Sequence, residues 1–205
     1  MNDIIFNLNK TVISLSLLLI IAAGCTTPAQ ILTPADLKVV RPGASTLVVV
    51  HSRSGNTAFV GKTISELMSS DYIRLETPKG AGDSLLSSPN RNEDVEINPG
   101  KIDLKNYSLL FLGSPIWYWH ANAYIYAFIK NNDCTGKKVV LFYTYEGGLT
   151  KDAIGEWSSL VQKQGGTVID VIEINRRKLK TNDAMQAEVK TIIERKRSSW
   201  LNAGM

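Results

Sequence analysis

Six residues near position 50 carry hydroxyl, amide and glycine groups in an order that suits anion binding. They are Ser52, Arg53, Ser54, Gly55, Asn56 and Thr57. They follow an apolar run and precede a helical pattern, and a helix N-terminus presents unpaired backbone N–H groups and partial positive charge. The serine and threonine hydroxyls add donors, and Gly55 lets the backbone curl closely around the anion. The pattern predicts a phosphate-binding loop.

A nearby segment, Gly61-Lys62-Thr63, superficially matches the end of a nucleotide-binding P-loop. That motif needs a glycine five positions before its second glycine, where this chain has Asn56. Gly61 also falls inside the expected helix instead of at its start. We therefore do not expect a nucleoside triphosphatase.

Residues 52–57 resemble the FMN-phosphate signature of flavodoxins, with Ser54 at a position where threonine is commoner. The resemblance extends over roughly residues 45–200. It implies that residues 52–57 hold the phosphate of one non-covalently bound FMN. It also implies a flavodoxin-like, doubly wound parallel sheet of five strands, in the order 2-1-3-4-5, with helices on both faces.

A second segment is rich in aromatic residues and follows the third predicted strand. It begins at Gly113 and continues with Ser114, Pro115, Ile116, Trp117, Tyr118, Trp119 and His120. Ligands of doubly wound sheets sit at such strand ends, and aromatic faces pack well on a flat isoalloxazine ring. The segment is similar to the flavodoxin loop that cradles this ring, so Trp117 and Tyr118 are expected to lie against it. The alternative is that these aromatic residues simply pack on the next helix.

A third loop follows the fourth predicted strand. It comprises Thr144, Tyr145, Glu146, Gly147, Gly148 and Leu149. Flavodoxins usually have a glycine- and serine-rich turn here, whose backbone contacts the pyrimidine edge of the flavin. Gly147 and Gly148 fit that pattern, whereas Tyr145 and Glu146 depart from it. Tyr145 is a candidate second wall, and Glu146 either faces solvent or lowers the flavin potential.

The remaining reactive side chains predict no second catalytic centre. His51 ends a buried strand and is expected to be a core or turn histidine, and His120 is a weaker candidate for a flavin or substrate contact. No cysteine or acidic partners accompany the histidines, so no metal site is predicted. Cys134 lies in a turn, and no Cys-His-Asp order supports covalent catalysis.

Apolar runs alternate with helical patterns in the positions needed to carry these loops. Strands are predicted at 45–51, 71–76, 107–113, 137–144 and 167–174. Helices are predicted at 56–69, 122–131, 150–164 and 181–200, with Asn122 and Thr150 as caps and Gly165 as a stop. Continuous apolar strands suit a parallel sheet that is covered on both faces. No strong helix is predicted over residues 77–100.

The N-terminal region predicts export and lipid attachment. An uncharged apolar run at 11–24 is too short for a comfortable transmembrane helix but suits a signal peptide. It ends in Ala23-Gly24-Cys25, which resembles a bacterial lipoprotein signal with Cys25 as the lipidated residue. We expect a signal peptide at 1–24, a tether at 25–44 and an FMN-binding domain at 45–205. The expected location is the extracytoplasmic face of the bacterial envelope, at the outer membrane in a Gram-negative cell.

The net charge of +4 separates this chain from typical flavodoxins, which are strongly acidic. Late basic clusters at 176–180 and 195–197 either form a solvated surface or attract anionic lipid headgroups. Nucleic-acid binding is not expected. Three functions remain open: a one-electron carrier, an NAD(P)H- or quinone-dependent FMN oxidoreductase, and a binding module without FMN. The redox partner, protein or quinone, is not specified, and the chain is expected to be a monomer or a small homo-oligomer.

Overall fold

The computed structural model describes residues 38–77, 95–147 and 151–202. The predicted signal peptide, Cys25, the predicted Thr150 cap, Gly148 and most of 77–100 lie outside these ranges. Among the described residues, no helix is both long and apolar enough to cross a bilayer.

The described part contains seven strands and four helices, and five of the strands and all four helices lie close to the predicted ranges. The strands are β1 (Lys38–Val39), β2 (Thr46–Val50), β3 (Asp71–Arg74), β4 (Leu109–Trp117), β5 (His120–Ala121), β6 (Lys138–Tyr145) and β7 (Thr167–Asn175). The helices are α1 (Asn56–Met68), α2 (Ala123–Asn131), α3 (Lys151–Lys163) and α4 (Asn182–Asn202). Asn122 caps α2 as predicted, because its Oδ1 accepts a hydrogen bond from the Ile125 N–H at 3.1 Å.

The long strands form one parallel sheet in the spatial order β3-β2-β4-β6-β7. Numbered along the chain, this is the order 2-1-3-4-5, and the predicted doubly wound α/β fold is confirmed. All five strands finish at the same end of the sheet, which we call the carboxyl edge; the opposite end is the amino edge. Loops that follow these strands therefore meet at the carboxyl edge.

Each face of the sheet is buried under a pair of helices. Val48, Val50 and Phe111 project to the face covered by α1 and α4, in a cluster that also holds Ile64 and Val189. The alternate strand residues, such as Val49 and Leu112, project to the other face, in a cluster with Phe128 of α2 and Trp157 of α3. Successive side chains of a strand point to opposite faces, so burial on both sides produces the continuous apolar runs seen in the sequence.

Two short strands extend the predicted sheet. β1 pairs antiparallel with β3, which places residues 38 and 39 of the predicted tether against the domain. β4 continues past Gly113 to Trp117 and pairs with β5 as an antiparallel hairpin. The aromatic segment is thus a strand extension and a tight turn, where the sequence predicted a loop.

Candidate functional site

The β2–α1 loop has the features of an anion cradle. Gly55 occupies the N-cap of α1 with φ of 89°, in the left-handed region that favours glycine, and no side chain caps the helix. The N–H groups of the first turn are therefore offered to a ligand instead of to a cap. Asn56 Nδ2 donates to Ser54 Oγ at 3.1 Å and braces the loop.

Ser52 contributes a buried hydroxyl that lacks a partner. Its side chain is 5% exposed, and its Oγ makes no hydrogen bond. A buried polar atom without a partner is costly, and in a native structure it calls for a reason. A phosphate oxygen bound in the cradle would supply the missing partner.

A buried arginine supports the same loop from the neighbouring strand. Arg74 of β3 is 8% exposed and its Nη2 donates to the Ser52 carbonyl oxygen at 2.6 Å. The guanidinium therefore fixes the start of the loop and places a positive charge beneath it, which favours an anion. The sequence offered no signal for this role, because Arg74 lies in a weakly patterned strand.

Two contacts bring the three predicted loops together. The Arg53 guanidinium carbon lies 5.5 Å from the centre of the Trp117 ring, which joins the phosphate loop to the aromatic hairpin. Thr57 Oγ1 lies 2.7 Å from Thr144 Oγ1 in a buried hydrogen bond, which joins the same loop to the end of β6. Residues distant in sequence thus meet at the carboxyl edge, as the resemblance implied.

The aromatic hairpin separates into a buried base and an exposed tip. Ser114, Pro115 and Ile116 are buried, whereas Tyr118 is 67% exposed and Trp119 is 53% exposed. Trp117 is half-buried between them. Only the ring-bearing part of the hairpin can present side-chain surface to a ligand, and the base acts as its support.

The base of the hairpin is held by a polar chain that reaches the end of β2. Ser114 Oγ donates to the Pro115 carbonyl and accepts from the Asn122 N–H at 3.0 Å. Asn122 Nδ2 lies 2.7 Å from His51 Nδ1, and since the amide nitrogen can only donate, the imidazole nitrogen accepts. His51 is therefore a core histidine, as predicted, and it connects the phosphate loop to the hairpin.

Burial keeps His51 neutral. Desolvation, together with the smaller effect of the Arg74 charge, lowers the pKa of its imidazole to about 3. The ring also packs against Tyr124 of α2, with the ring centres 4.6 Å apart and the planes tilted by 33°. A neutral, fixed ring suits a positioning role and does not suit proton exchange near neutral pH.

The third loop is partly described. Tyr145 is half-buried with its ring 5.7 Å from that of Tyr143, and Glu146 is exposed to solvent. A Cβ on Gly147 would lie 3.2 Å from Nη2 of Arg177, so this arginine covers the glycine turn. Arg177 belongs to the loop after β7, and no local pattern in the sequence pointed to it.

Two further candidates from the sequence are His120 and Cys134. His120 lies in the hairpin opposite Trp117, and its Nδ1 lies 3.4 Å from Glu156 Oε2 of α3. Cys134 is buried, and desolvation raises the pKa of its thiol to about 11, so it is a weak nucleophile. Within the described residues, no group of three or more histidine, cysteine or acidic side chains could hold a metal ion.

Comparison with known proteins gives a family match and several structural relatives. The family profile Flavodoxin matches residues 45–165. A candidate flavoprotein from Bacteroides uniformis aligns with a TM-score of 0.57 and 20% identity, over 72% of this chain and 99% of that one. A flavoprotein from Lactobacillus acidophilus, solved in complex with FMN, aligns with a TM-score of 0.52 and 25% identity, over 67% and 97% of the two chains.

An NADH:FMN oxidoreductase in its apo form has a TM-score of 0.50 and 15% identity, over 76% of this chain and 90% of that one. No curated protein sequence matches the chain significantly.

Proposed function

Because the chain belongs to the flavodoxin family, we propose that it carries electrons through one FMN at the outer face of a bacterial membrane. The observation that carries the proposal is the convergence of three loops at the carboxyl edge. The Arg53–Trp117 and Thr57–Thr144 contacts join an uncapped helix N-terminus, an aromatic hairpin and the end of β6.

FMN is the cofactor, and the donor set of the phosphate loop fits it. The family match and the FMN complex of the Lactobacillus relative support this identity. The orphaned hydroxyl of Ser52, the N–H groups of α1 and the buried Arg74 charge all favour a dianionic phosphate monoester. No transfer of the phosphate is needed, which agrees with the lack of a P-loop lysine.

The bound isoalloxazine ring supplies the redox chemistry, and the protein holds and shields it. Trp117 and Tyr118 are the proposed ring contacts on the hairpin side, and Tyr145 is the proposed contact at the end of β6. The polar chain through Ser114, Asn122 and His51 fixes the hairpin relative to the phosphate loop, so both ends of the cofactor are positioned by one rigid frame.

A second candidate function is an NAD(P)H- or quinone-dependent FMN oxidoreductase. Two observations favour it: the net charge of +4 differs from the acidic surface that carriers use for docking, and exposed aromatic rings suit a flat organic substrate. The fold is also shared with an NADH:FMN oxidoreductase. A non-enzymatic module without FMN is the third candidate, and it would leave the buried Ser52 hydroxyl without the partner that an FMN phosphate supplies.

The proposed location follows from the N-terminal sequence. Lipid attachment at Cys25 after removal of residues 1–24 would keep the domain at the extracytoplasmic membrane face. Mass spectrometry of the N-terminal peptide from a bacterial membrane fraction tests it: a diacylglyceryl-modified Cys25 is expected. An unmodified peptide that retains residues 1–24 would refute the anchor.

A matched pair of serine variants tests the phosphate site. Ser52 and Ser70 both have buried hydroxyls without a hydrogen-bond partner, but Ser70 lies at the amino edge. Ser52→Ala should lower FMN affinity about tenfold or more, as expected for loss of a hydrogen bond to a charged group, whereas Ser70→Ala should leave it unchanged. Equal affinities in both variants would show that the phosphate does not use Ser52.

The choice between carrier and oxidoreductase needs two measurements on the FMN-loaded protein. Reduction in two resolved one-electron steps, with slow oxidation of NAD(P)H, would support the carrier. Rapid NAD(P)H-dependent reduction of a quinone would support the oxidoreductase. Failure of the protein to develop flavin absorbance after addition of FMN would leave only the non-enzymatic module.

A further inference from the structure

We propose that Arg177, in the loop after β7, raises the reduction potential of the bound flavin by stabilising its reduced, negatively charged form. The inference rests on the proposed function, since it requires FMN at the carboxyl edge. It deepens that function by naming the class of electron donor that the site suits, a two-electron donor of the NAD(P)H type.

The loop that carries Arg177 is fixed against the third loop of the candidate site. The Arg176 N–H donates to the Tyr145 carbonyl oxygen at 2.7 Å. The Asn175 side chain accepts a hydrogen bond from the Arg177 N–H at 2.9 Å and closes a turn at the end of β7. The backbone of Arg177 is therefore held one residue away from a direct bond to the third loop.

The guanidinium of Arg177 lies against the glycine of that loop. A Cβ built on Gly147 would lie 3.2 Å from Nη2 and 3.3 Å from Cζ, so a side chain at this position would meet the guanidinium. Glycine lets the cation approach the loop backbone. Tyr145, a proposed ring contact, lies two positions earlier, so the charge is held beside a wall of the flavin site.

No close acidic partner cancels the charge of Arg177. Across residues 38–77, 95–147 and 151–202, no carboxylate lies within 4.0 Å of its guanidinium nitrogens. Lys196 is different, because its Nζ lies 2.8 Å from Asp170 Oδ1. The field of Arg177 therefore extends to its surroundings instead of ending in an ion pair.

The surroundings of the site carry few negative charges to oppose this field. The three loops, at 52–57, 113–120 and 144–149, contain a single acidic residue, Glu146, whose side chain is exposed. The Arg53 guanidinium carbon, 5.5 Å from the centre of the Trp117 ring, adds a second cation on the hairpin side. Both arginines thus border the walls proposed for the ring.

The charge of the flavin changes on reduction. Oxidised isoalloxazine is neutral, and uptake of two electrons and one proton leaves one negative charge on the pyrimidine side of the ring. A nearby cation stabilises this product and not the reactant. A unit charge about 10 Å away near a protein surface changes such an equilibrium about tenfold. The protein should therefore bind reduced FMN more tightly than oxidised FMN, which favours uptake of an electron pair.

Redox titration of the FMN-loaded full chain against a reference dye measures this preference. Arg177→Gln should lower the two-electron potential by about 30 mV, the equivalent of a tenfold change in the ratio of the two affinities. Arg177→Lys keeps the charge and should retain most of the potential. A potential that does not change in Arg177→Gln would overturn the proposal.

Two further variants test whether charge at this position is the cause. Arg195 is an exposed arginine of α4, thirteen residues after the start of that helix and about 20 Å from the carboxyl edge, so Arg195→Gln should leave the potential unchanged. Glu146→Gln removes the opposing charge and should raise the potential. Equal shifts in Arg177→Gln and Arg195→Gln would show an effect of net charge alone and would refute a specific role for Arg177.

Sulfite binding gives a second measurement, which needs no electron donor. Sulfite adds to N5 of oxidised flavin: sulfur supplies both electrons of the new N–S bond, and the ring takes up the negative charge. The affinity is read from the loss of visible flavin absorbance. It should fall about tenfold in Arg177→Gln and stay unchanged in Arg195→Gln, and equal affinities in the two variants would contradict the proposal.

The FMN-loading step separates failure of this inference from failure of the proposed function. A chain that takes up no FMN refutes the proposed function and the inference with it. A chain that binds FMN, with the same potential in the unaltered form and in Arg177→Gln, refutes only the role of Arg177. If Arg177→Gln weakens the binding of oxidised and reduced FMN equally, Arg177 holds the cofactor without changing its potential, and the proposal is overturned.

Discussion

The buried histidine behind the candidate site should make the protein sensitive to mild acid. In the folded state the pKa of His51 is lowered to about 3 from its ordinary value of 6.5, chiefly by burial. Between these values the unfolded chain binds a proton that the folded chain does not. Stability is therefore complete above pH 6.5 and falls as the pH drops through the window towards 3.

The magnitude follows from the two pKa values. Each pH unit inside the window costs about 1.4 kcal/mol, so acidification from pH 7 to pH 5 should lower the free energy of unfolding by about 2 kcal/mol. That loss is a large part of the stability of a typical domain, which is about 5–15 kcal/mol. The comparison stops at pH 5 because carboxylates begin to protonate below that pH.

Urea unfolding of the FMN-free protein at pH 5, 6 and 7 measures this effect. The chain has only two histidines, so His120→Gln is a matched control that keeps the pH dependence. His51→Gln should lower stability at pH 7, because the bond to Asn122 is altered, and should remove most of the change between pH 7 and pH 5. If the unaltered chain and His51→Gln lose the same free energy over this range, the assignment of His51 as a buried neutral residue is wrong.

Two other substitutions probe the packing and the hydrogen bonds behind the site. Gly113→Ala would place a Cβ 2.0 Å from a ring atom of Phe142, so it should destabilise the protein by about 3 kcal/mol or more in urea unfolding. Gly155→Ala, in open space on a helix, should instead stabilise the protein by about 0.5–1 kcal/mol. Equal changes in stability for the two glycine substitutions would contradict the close packing of Gly113 against Phe142. Thr57→Val leaves the Thr144 hydroxyl without its 2.7 Å partner, so the free energy of unfolding should fall by about 1–3 kcal/mol. FMN affinity, measured by fluorescence titration, should also fall. If the variant is as stable as the unaltered chain, the Thr57–Thr144 hydrogen bond is wrong.

Much of the fold was predictable because its signals are local. Continuous apolar runs defined four of the parallel strands, and helical spacing of apolar residues defined all four helices within a few residues. The Asn122 cap was also visible, because a cap and the helix it serves are adjacent in sequence. Strand β1 and the β4–β5 hairpin were not predicted, because a two-residue strand such as β1 has no periodicity to detect.

The connections within the site were not predictable, because they join residues far apart in the chain. His51 and Asn122 are 71 positions apart, and Thr57 and Thr144 are 87 positions apart. Neither residue type nor spacing encodes such a pair. The resemblance to flavodoxins identified which loops meet, but the buried Arg74 and the Arg177 that covers Gly147 emerge only from the three-dimensional arrangement.

The parallel topology explains why residues distant in sequence form one candidate site. In a parallel sheet every strand finishes at the same edge, so the phosphate loop, the aromatic hairpin and the end of β6 must meet there. The chain would ordinarily enter such a sheet at the opposite edge, where its first parallel strand begins. The antiparallel β1 instead runs from Lys38, opposite Ile73, towards the amino edge, where the Arg41 N–H donates to Asp71 Oδ1. The described chain therefore leads into β2 from the amino edge and leaves the carboxyl edge to the three loops of the candidate site.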